Sequence, residues 1–201
     1  MEPFIILASQ SPRRRELLER IGVRYETVVA PVDEQPEPDE GAEMFVLRMA
    51  LEKARRGFAA TEQRAPTLAA DTAVVIDGEI IGKPRDQADA QRMLMRLSGA
   101  THRVLTGVAL VDDREATRLS VSQVTFRTLD EQECQGYWAS GEPADKAGAY
   151  AIQGRGGVFI EHLEGSYTGV MGLPLYETTL LLDEFAIPWR GLWSAPADVA
   201  Q

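Results

Sequence analysis

An α/β fold is predicted by two features of the chain. Strand-like and helix-like segments alternate through most of its length, and the helical segments are bracketed by recognisable caps and stops. With 201 residues, 44% of them hydrophobic, the chain can bury a substantial core, expected as one domain with room for two lobes around a cleft.

Phe4 to Leu7 is a short buried strand, and Ser9-Gln10-Ser11 turns the chain. Ser11 suits an N-cap and Pro12 the first helical position. Leu17, Leu18 and Ile21 give the following helix an apolar stripe, which Gly22 stops. Tyr25 to Val29 is strand-like, and Pro31 to Glu43 is a proline-rich acidic loop. A long helix follows from about Ala42 to Ala60, with Phe45, Met49, Ala54 and Phe58 near helical spacing. Leu68 to Ala70 reads as a short strand ending at Asp71-Thr72. Val74 to Ile76 and Ile80-Ile81 form a hairpin across Asp77-Gly78, a favoured two-residue turn.

Asp86 can cap a helix carrying Ala90, Met93, Leu94 and Leu97, which stops at Ser98-Gly99. Val104 to Val111 and Leu119 to Phe126 flank a polar turn and are expected to pair antiparallel. Thr128 with Glu131 reads as a capping box for a helix running towards Trp138. Gly141 to Gly157 is loop-rich. Val158 to Ile160 and Ser166 to Val170 read as a further hairpin across Glu164-Gly165, and Pro174 opens a final helix through Leu180 to Phe185. The folded domain is expected over residues 1–189, with 190–201 a flexible tail. Trp189 and Trp193 are placed against the body or a partner by nothing in the sequence.

Charge narrows the function. The formal net charge of −10 argues against a nucleic-acid or anionic-membrane binder, which needs an extended basic surface. The single cysteine, Cys134, excludes an internal disulfide and a multi-cysteine metal site. No basic segment followed by a long apolar stretch opens the chain, and no apolar run is long enough to cross a bilayer. A cytoplasmic location is expected.

A small anionic ligand is a different matter. The first turn of a helix favours acidic side chains, because its free N–H groups and dipole end are positive. Here Arg13, Arg14 and Arg15 follow Ser9, Ser11 and Pro12, a pattern that suits a bound phosphate. A solvated basic face is the preferred reading for Arg15 alone. Asp71-Thr72, delivered off an apolar run, stands where ligand residues sit at strand ends in α/β sheets. Gly82-Lys83-Pro84 only superficially resembles a P-loop, having one residue too few between its glycines and Pro after the Lys, although Lys83 can serve a phosphate as a point charge. Glu34 and Lys53, each alone, read as a loop acid and a helix surface. In the Asp145 to Gly154 passage, Gln153 can read a base edge through its donor and acceptor, with a buried structural Gln as the alternative. His102 lacks companions at ligand spacing and reads as structural.

Taken in order, eight segments resemble the Maf family of nucleoside triphosphate pyrophosphatases. They are SQSPRR (Ser9 to Arg14), DEQ (Asp33 to Gln35), LEKA (Leu51 to Ala54), AADT (Ala69 to Thr72), GKP (Gly82 to Pro84), SGATHRVLTGV (Ser98 to Val108), DKAGAYAIQG (Asp145 to Gly154) and GSYTGVMGLP (Gly165 to Pro174). The resemblance implies an elongated mixed β-sheet with flanking helices, two lobes around a central cleft and similarity to inosine triphosphate pyrophosphatases. It implies hydrolysis of dTTP and UTP to the monophosphate and pyrophosphate, with Asp71 as general base and Glu34, Lys53 and Lys83 as the other catalytic charges. Glu34 and Asp71 would hold Mg²⁺ or Mn²⁺, and Ser9, Ser11 and Arg14 would meet the phosphates. Arg13, Thr72 and Gln153 match the pyrimidine-type specificity trio. A homodimer, house-cleaning of modified pyrimidine nucleotides and, alternatively, a nucleotide-sensing role in cell division are further implications. Gly169 departs from the family pattern, in which a larger residue, often Asn, is common.

Overall fold

The computed structural model describes residues 5–190, so Phe4 and nearly all of the expected tail, Trp193 included, lie outside the described residues. Ile5–Leu7 (β1) is buried along its whole length and runs parallel to both Tyr25–Thr27 (β2) and Thr67–Ile76 (β3). Parallel neighbours need crossover connections, and helices supply them: Pro12–Arg20 (α1) between β1 and β2, and Ala42–Ala60 (α2) between β2 and β3. The other pairings are antiparallel. Glu79–Ile81 (β4) returns on β3 through Asp77 and Gly78, both at positive φ as the predicted hairpin turn requires. Thr101–Val111 (β5) lies on the other edge of β3, followed by Glu115–Phe126 (β6) and Ile160–Glu164 (β7). The described residues thus build a seven-stranded mixed sheet in the order β2-β1-β3-β5-β6-β7, with β4 beside β3.

Helices Gln87–Leu97 (α3), Glu131–Ala139 (α4), Tyr167–Met171 (α5) and Leu175–Glu184 (α6) complete the fold. Asp86 caps α3 as expected, its side chain accepting from Asp89 N. None of the described helices is long and apolar enough to cross a membrane. Gly107 lets α2 close on the sheet, because a Cβ there would collide with the Val46 carbonyl.

Four expectations are corrected. Asp71-Thr72 do not end a strand: β3 continues through them, because β5 pairs with it from Thr67 to Val75 and that ladder overrides the weak strand preference of Asp71. Asp130 and Glu133, not Thr128 and Glu131, form the capping box of α4. Ser98 Oγ accepts from Leu129 N at 2.7 Å and so keeps that residue outside the helix. Residues 166–170 form no hairpin arm. Ser166 Oγ accepts from Gly169 N at 2.9 Å and caps α5 instead, while β7 pairs with β6. Ser11 occupies the N-cap of α1, but its side chain makes no capping bond. Trp189 packs into the cluster formed by α1, α6 and the neighbouring strands, and Arg190 pairs with Asp183 at 2.6 Å.

Candidate active site

Strand β3 organises the site. Its ladder to β1 ends at Leu68 and its ladder to β4 begins at Val74, so residues 69–73 pair only with β5. Side chains alternate across that open stretch. On one face Leu68 and Ala70 belong to one apolar cluster and Val74 and Ile76 to another, leaving polar Thr72 in the gap. On the opposite face Ala69, Ala73 and Val75 pack with residues of α2, which turns Asp71 towards that helix. The gap opens on a cleft of about 890 Å³, lined by Ser9, Ser11, Arg13, Arg14, Glu34, Lys53, Asp71, Thr72, Lys83 and Gln153. Residues from opposite ends of the sequence therefore share one cleft. Arg15, by contrast, is exposed and lies outside this lining, as a solvated basic face would.

Lys53 joins the acidic groups. Its Nζ donates to Asp71 Oδ1 at 2.6 Å and also to Glu34 Oε1, and Lys83 Nζ stands 4.0 Å from Glu34 Oε2. Lys53 and Asp71 are only 12% and 13% exposed, so water screens their attraction weakly. Desolvation pushes the Glu34 carboxyl up, but the hydrogen bond and charge of Lys53, helped by Lys83 and Arg14, outweigh it and hold the group below its ordinary range.

On the Thr72 side, Arg14 is fixed by three acceptors from separate segments. Its Nε donates to Gly172 O at 2.7 Å, one terminal nitrogen to Ser9 Oγ at 3.3 Å, and the other to Thr72 Oγ1 at 3.5 Å. Gly172 has φ 113°, a conformation that favours glycine, and so presents its carbonyl to the arginine. Desolvation lowers the Arg14 pKa from its ordinary value, opposed by Asp71 and Glu34 and reinforced by Arg13; an arginine so placed remains charged. Thr72 Oγ1 lies 2.9 Å from Thr106 Oγ1, its cross-strand partner on β5, and Thr106 Oγ1 donates to Gly169 O at 2.8 Å. At Gly169 the contact is thus made by backbone, and the side chain missing there is not needed for it.

Gln153 is exposed at the cleft, in a loop held from both sides. Tyr137 Oη accepts from Ala151 N at 3.1 Å, while Glu142 accepts from Arg155 N at 3.0 Å and Gly156 N at 3.1 Å. Tyr137 donates to Glu142 at 2.6 Å, closing the clamp. Burial pushes the Glu142 carboxyl up, and these donors together with Lys146 bring it below its ordinary value. Arg13 pairs loosely with Asp145 at 3.8 Å.

Sequence reasoning missed Thr106, Tyr137 and Glu142. Their partners lie on other elements, and no local pattern announces them. His102 fits its structural reading: it is 1% exposed, with Nε2 2.8 Å from Tyr150 Oη. Among the described residues no group of three or more His, Cys, Asp and Glu could cage a metal. The hard oxygens of Glu34 and Asp71 instead fit an ion such as Mg²⁺, which needs one or two carboxylates and completes its shell with substrate phosphates and water.

A family model described as Maf-like protein matches residues 4–185. The chain is 61% identical over 196 residues to the dTTP/UTP pyrophosphatase of Alkalilimnicola ehrlichii, covering 95% of this chain and 97% of that protein. It is 53% identical over 182 residues to the dTTP/UTP pyrophosphatase of Escherichia coli O157:H7, covering 90% and 92%. Among solved structures it is similar to a HAM1 protein from Coxiella burnetii, with a TM-score of 0.46 and 17% identity over 61% of this chain and 72% of that one. A nucleoside-triphosphatase, dITP/XTP pyrophosphatase, from Mycobacterium abscessus matches with a TM-score of 0.41 and 21% identity over 61% and 73%.

Proposed function

The chain belongs to the Maf-like protein family, and from that premise we propose that it is a nucleoside triphosphate pyrophosphatase that hydrolyses dTTP and UTP. Water adds to the α-phosphorus, the α–β anhydride bond breaks, and the products are the nucleoside monophosphate and pyrophosphate. The observation that carries this reading is the meeting of Lys53 with Asp71 and Glu34 in the same cleft as Arg14 and Ser9. Such a cleft offers a proton acceptor beside a set of cations suited to a triphosphate.

Asp71 takes the proton of the attacking water, and Lys53 fixes the carboxylate through Oδ1. Lys53, Lys83 and Arg14 offset the charge that moves onto the phosphate oxygens as the anhydride opens. Arg14 is restrained by its three acceptors before substrate arrives, so little ordering is required of it during the reaction. Glu34 and Asp71 would hold a Mg²⁺ or Mn²⁺ that enters with the triphosphate; when bound, it polarises the phosphoryl oxygens. Thr72 and Gln153 meet the pyrimidine, with Arg13 as the third member of the specificity set lining the same cleft.

A pyrophosphate-release screen across dTTP, UTP, CTP and purine triphosphates, with Mg²⁺, Mn²⁺ or chelator, tests the reading. Fast release from dTTP and UTP with a divalent ion is expected. Equal rates for all bases would remove the specificity assignment. Slow single-turnover hydrolysis with tight product retention would favour a nucleotide sensor.

A further inference from the structure

The hydroxyl groups on either side of Arg14 are held in opposite polarity, and this bears on what each can recognise. A hydroxyl has one proton and two acceptor positions. The carbonyl of Gly169 can only accept, so the 2.8 Å bond to it uses the single proton of Thr106. Thr106 Oγ1 must therefore be the acceptor in its 2.9 Å contact with Thr72, whose own proton is used in turn. Thr106 is 1% exposed and has no route to a water that would relieve it. Thr72 Oγ1 also accepts from Arg14 at 3.5 Å, so it faces the cleft with one remaining lone pair and no proton. Ser9 is the reverse case. Its Oγ accepts from Ser11 N at 3.1 Å and from Arg14 at 3.3 Å, which leaves its proton for a ligand.

We infer that Thr106 is a specificity-positioning residue: by consuming the Thr72 proton, it makes Thr72 an obligate acceptor that selects a base carrying a ring N–H. Uracil and thymine carry that proton on N3. Cytosine presents a lone pair there, which would face the remaining lone pair of Thr72 and leave both unpaired. A phosphate oxygen is an acceptor too, so Thr72 suits the base end of the ligand. Ser9, a donor beside the Arg14 guanidinium, suits the phosphate end. The inference rests on the reading that Thr72 meets the pyrimidine.

The test is the ratio of kcat/KM for UTP over CTP in four proteins. In Thr106→Val the Thr72 hydroxyl is released and can turn its proton to cytosine N3. The ratio is expected to fall about 10- to 100-fold, largely through a gain on CTP. Thr106→Ser, which keeps the hydroxyl, should retain the wild-type ratio. Loss of rate on both substrates by one factor in Thr106→Val, with the ratio intact, would overturn the inference. An unchanged ratio in Thr72→Val would instead overturn the placement of the base at Thr72. A measurement on the wild-type enzyme stands apart from any folding defect: N3-methyl-UTP, which lacks the proton, should be cleaved at least 10-fold less efficiently than UTP, and equal efficiency would overturn the inference.

Discussion

Lys53 Nζ stands 2.6 Å from Asp71 Oδ1, and the same ammonium also donates to Glu34. Helix α2 supplies the cation and strand β3 one of the anions. Their packing depends on glycine at position 107, directly opposite Asp71 on β5, where the backbone of α2 leaves no room for a Cβ. The pair is therefore built by the core as much as by its own attraction. Partly buried, it is ordered before any substrate enters.

That ordering makes Asp71→Asn a clean probe. The amide oxygen can still accept from Lys53, so the urea midpoint should stay close to wild type. The proton acceptor is gone, and turnover should drop by about 10²- to 10⁴-fold. Pyrophosphate release and urea unfolding on the same preparation check both halves. Near-normal turnover would remove Asp71 from the proton transfer.

Metal dependence should be tied to substrate. Two carboxylates already bridged by Lys53 make a poor cage for a free divalent ion, whereas a bound triphosphate adds several oxygens. Millimolar Mg²⁺ alone should leave the melting temperature unchanged. Mg²⁺ together with a non-hydrolysable UTP analogue should raise it, since only the ternary complex is stabilised by binding. Chelator should abolish turnover and added Mg²⁺ or Mn²⁺ restore it. A rise in melting temperature with Mg²⁺ alone would indicate a preformed metal site.

The Gln153 loop should depend on a hydroxyl far from it in sequence. Tyr137→Phe removes the acceptor for Ala151 N and the donor to Glu142 while keeping the ring packed on Phe159. Leaving those groups unpaired should cost about 1–3 kcal/mol of stability. Discrimination between UTP and CTP should weaken as the loop loosens, with kcat for UTP less affected than KM. A change in stability without any change in discrimination would show that the clamp serves the fold alone.

Much of this arrangement was legible in the chain. Alternation of strands and helices pointed to the α/β class, the family resemblance to a mixed sheet, and Asp77-Gly78, Asp86 and Gly22 marked real turns, caps and stops. The polar residues singled out from Ser9 to Gln153 share one cleft. What stayed hidden was set by pairing across the sheet. Leu68 to Ala70 looked like a complete short strand, because nothing local says that β5 carries Asp71 and Thr72 onward. Thr106 looked like one more β-branched strand residue, and its role depends on Thr72 directly opposite and on a carbonyl from α5. Ser166 to Val170 has strand-like composition, and one capping hydroxyl turned it into a helix.

Acid stability should report on His102. Burial lowers its pKa from 6.5 to about 4, and its ring is enclosed by Phe126 and Tyr150. Between those two values the unfolded chain binds a proton that the folded protein refuses. Stability from this residue is therefore complete above pH 6.5, falls as the pH drops through the window, and is lost near pH 4. At about 1.4 kcal/mol per unit the contribution is about 3 kcal/mol. Carboxylates titrate over the lower part of the same range, so the variant His102→Gln, which keeps a polar partner for Tyr150, isolates the histidine. The difference in unfolding free energy between pH 7 and pH 4 should shrink by about that amount in the variant. An identical difference in both proteins would mean that His102 is protonated in the folded state without cost, and that its surroundings hold a counter-charge or water.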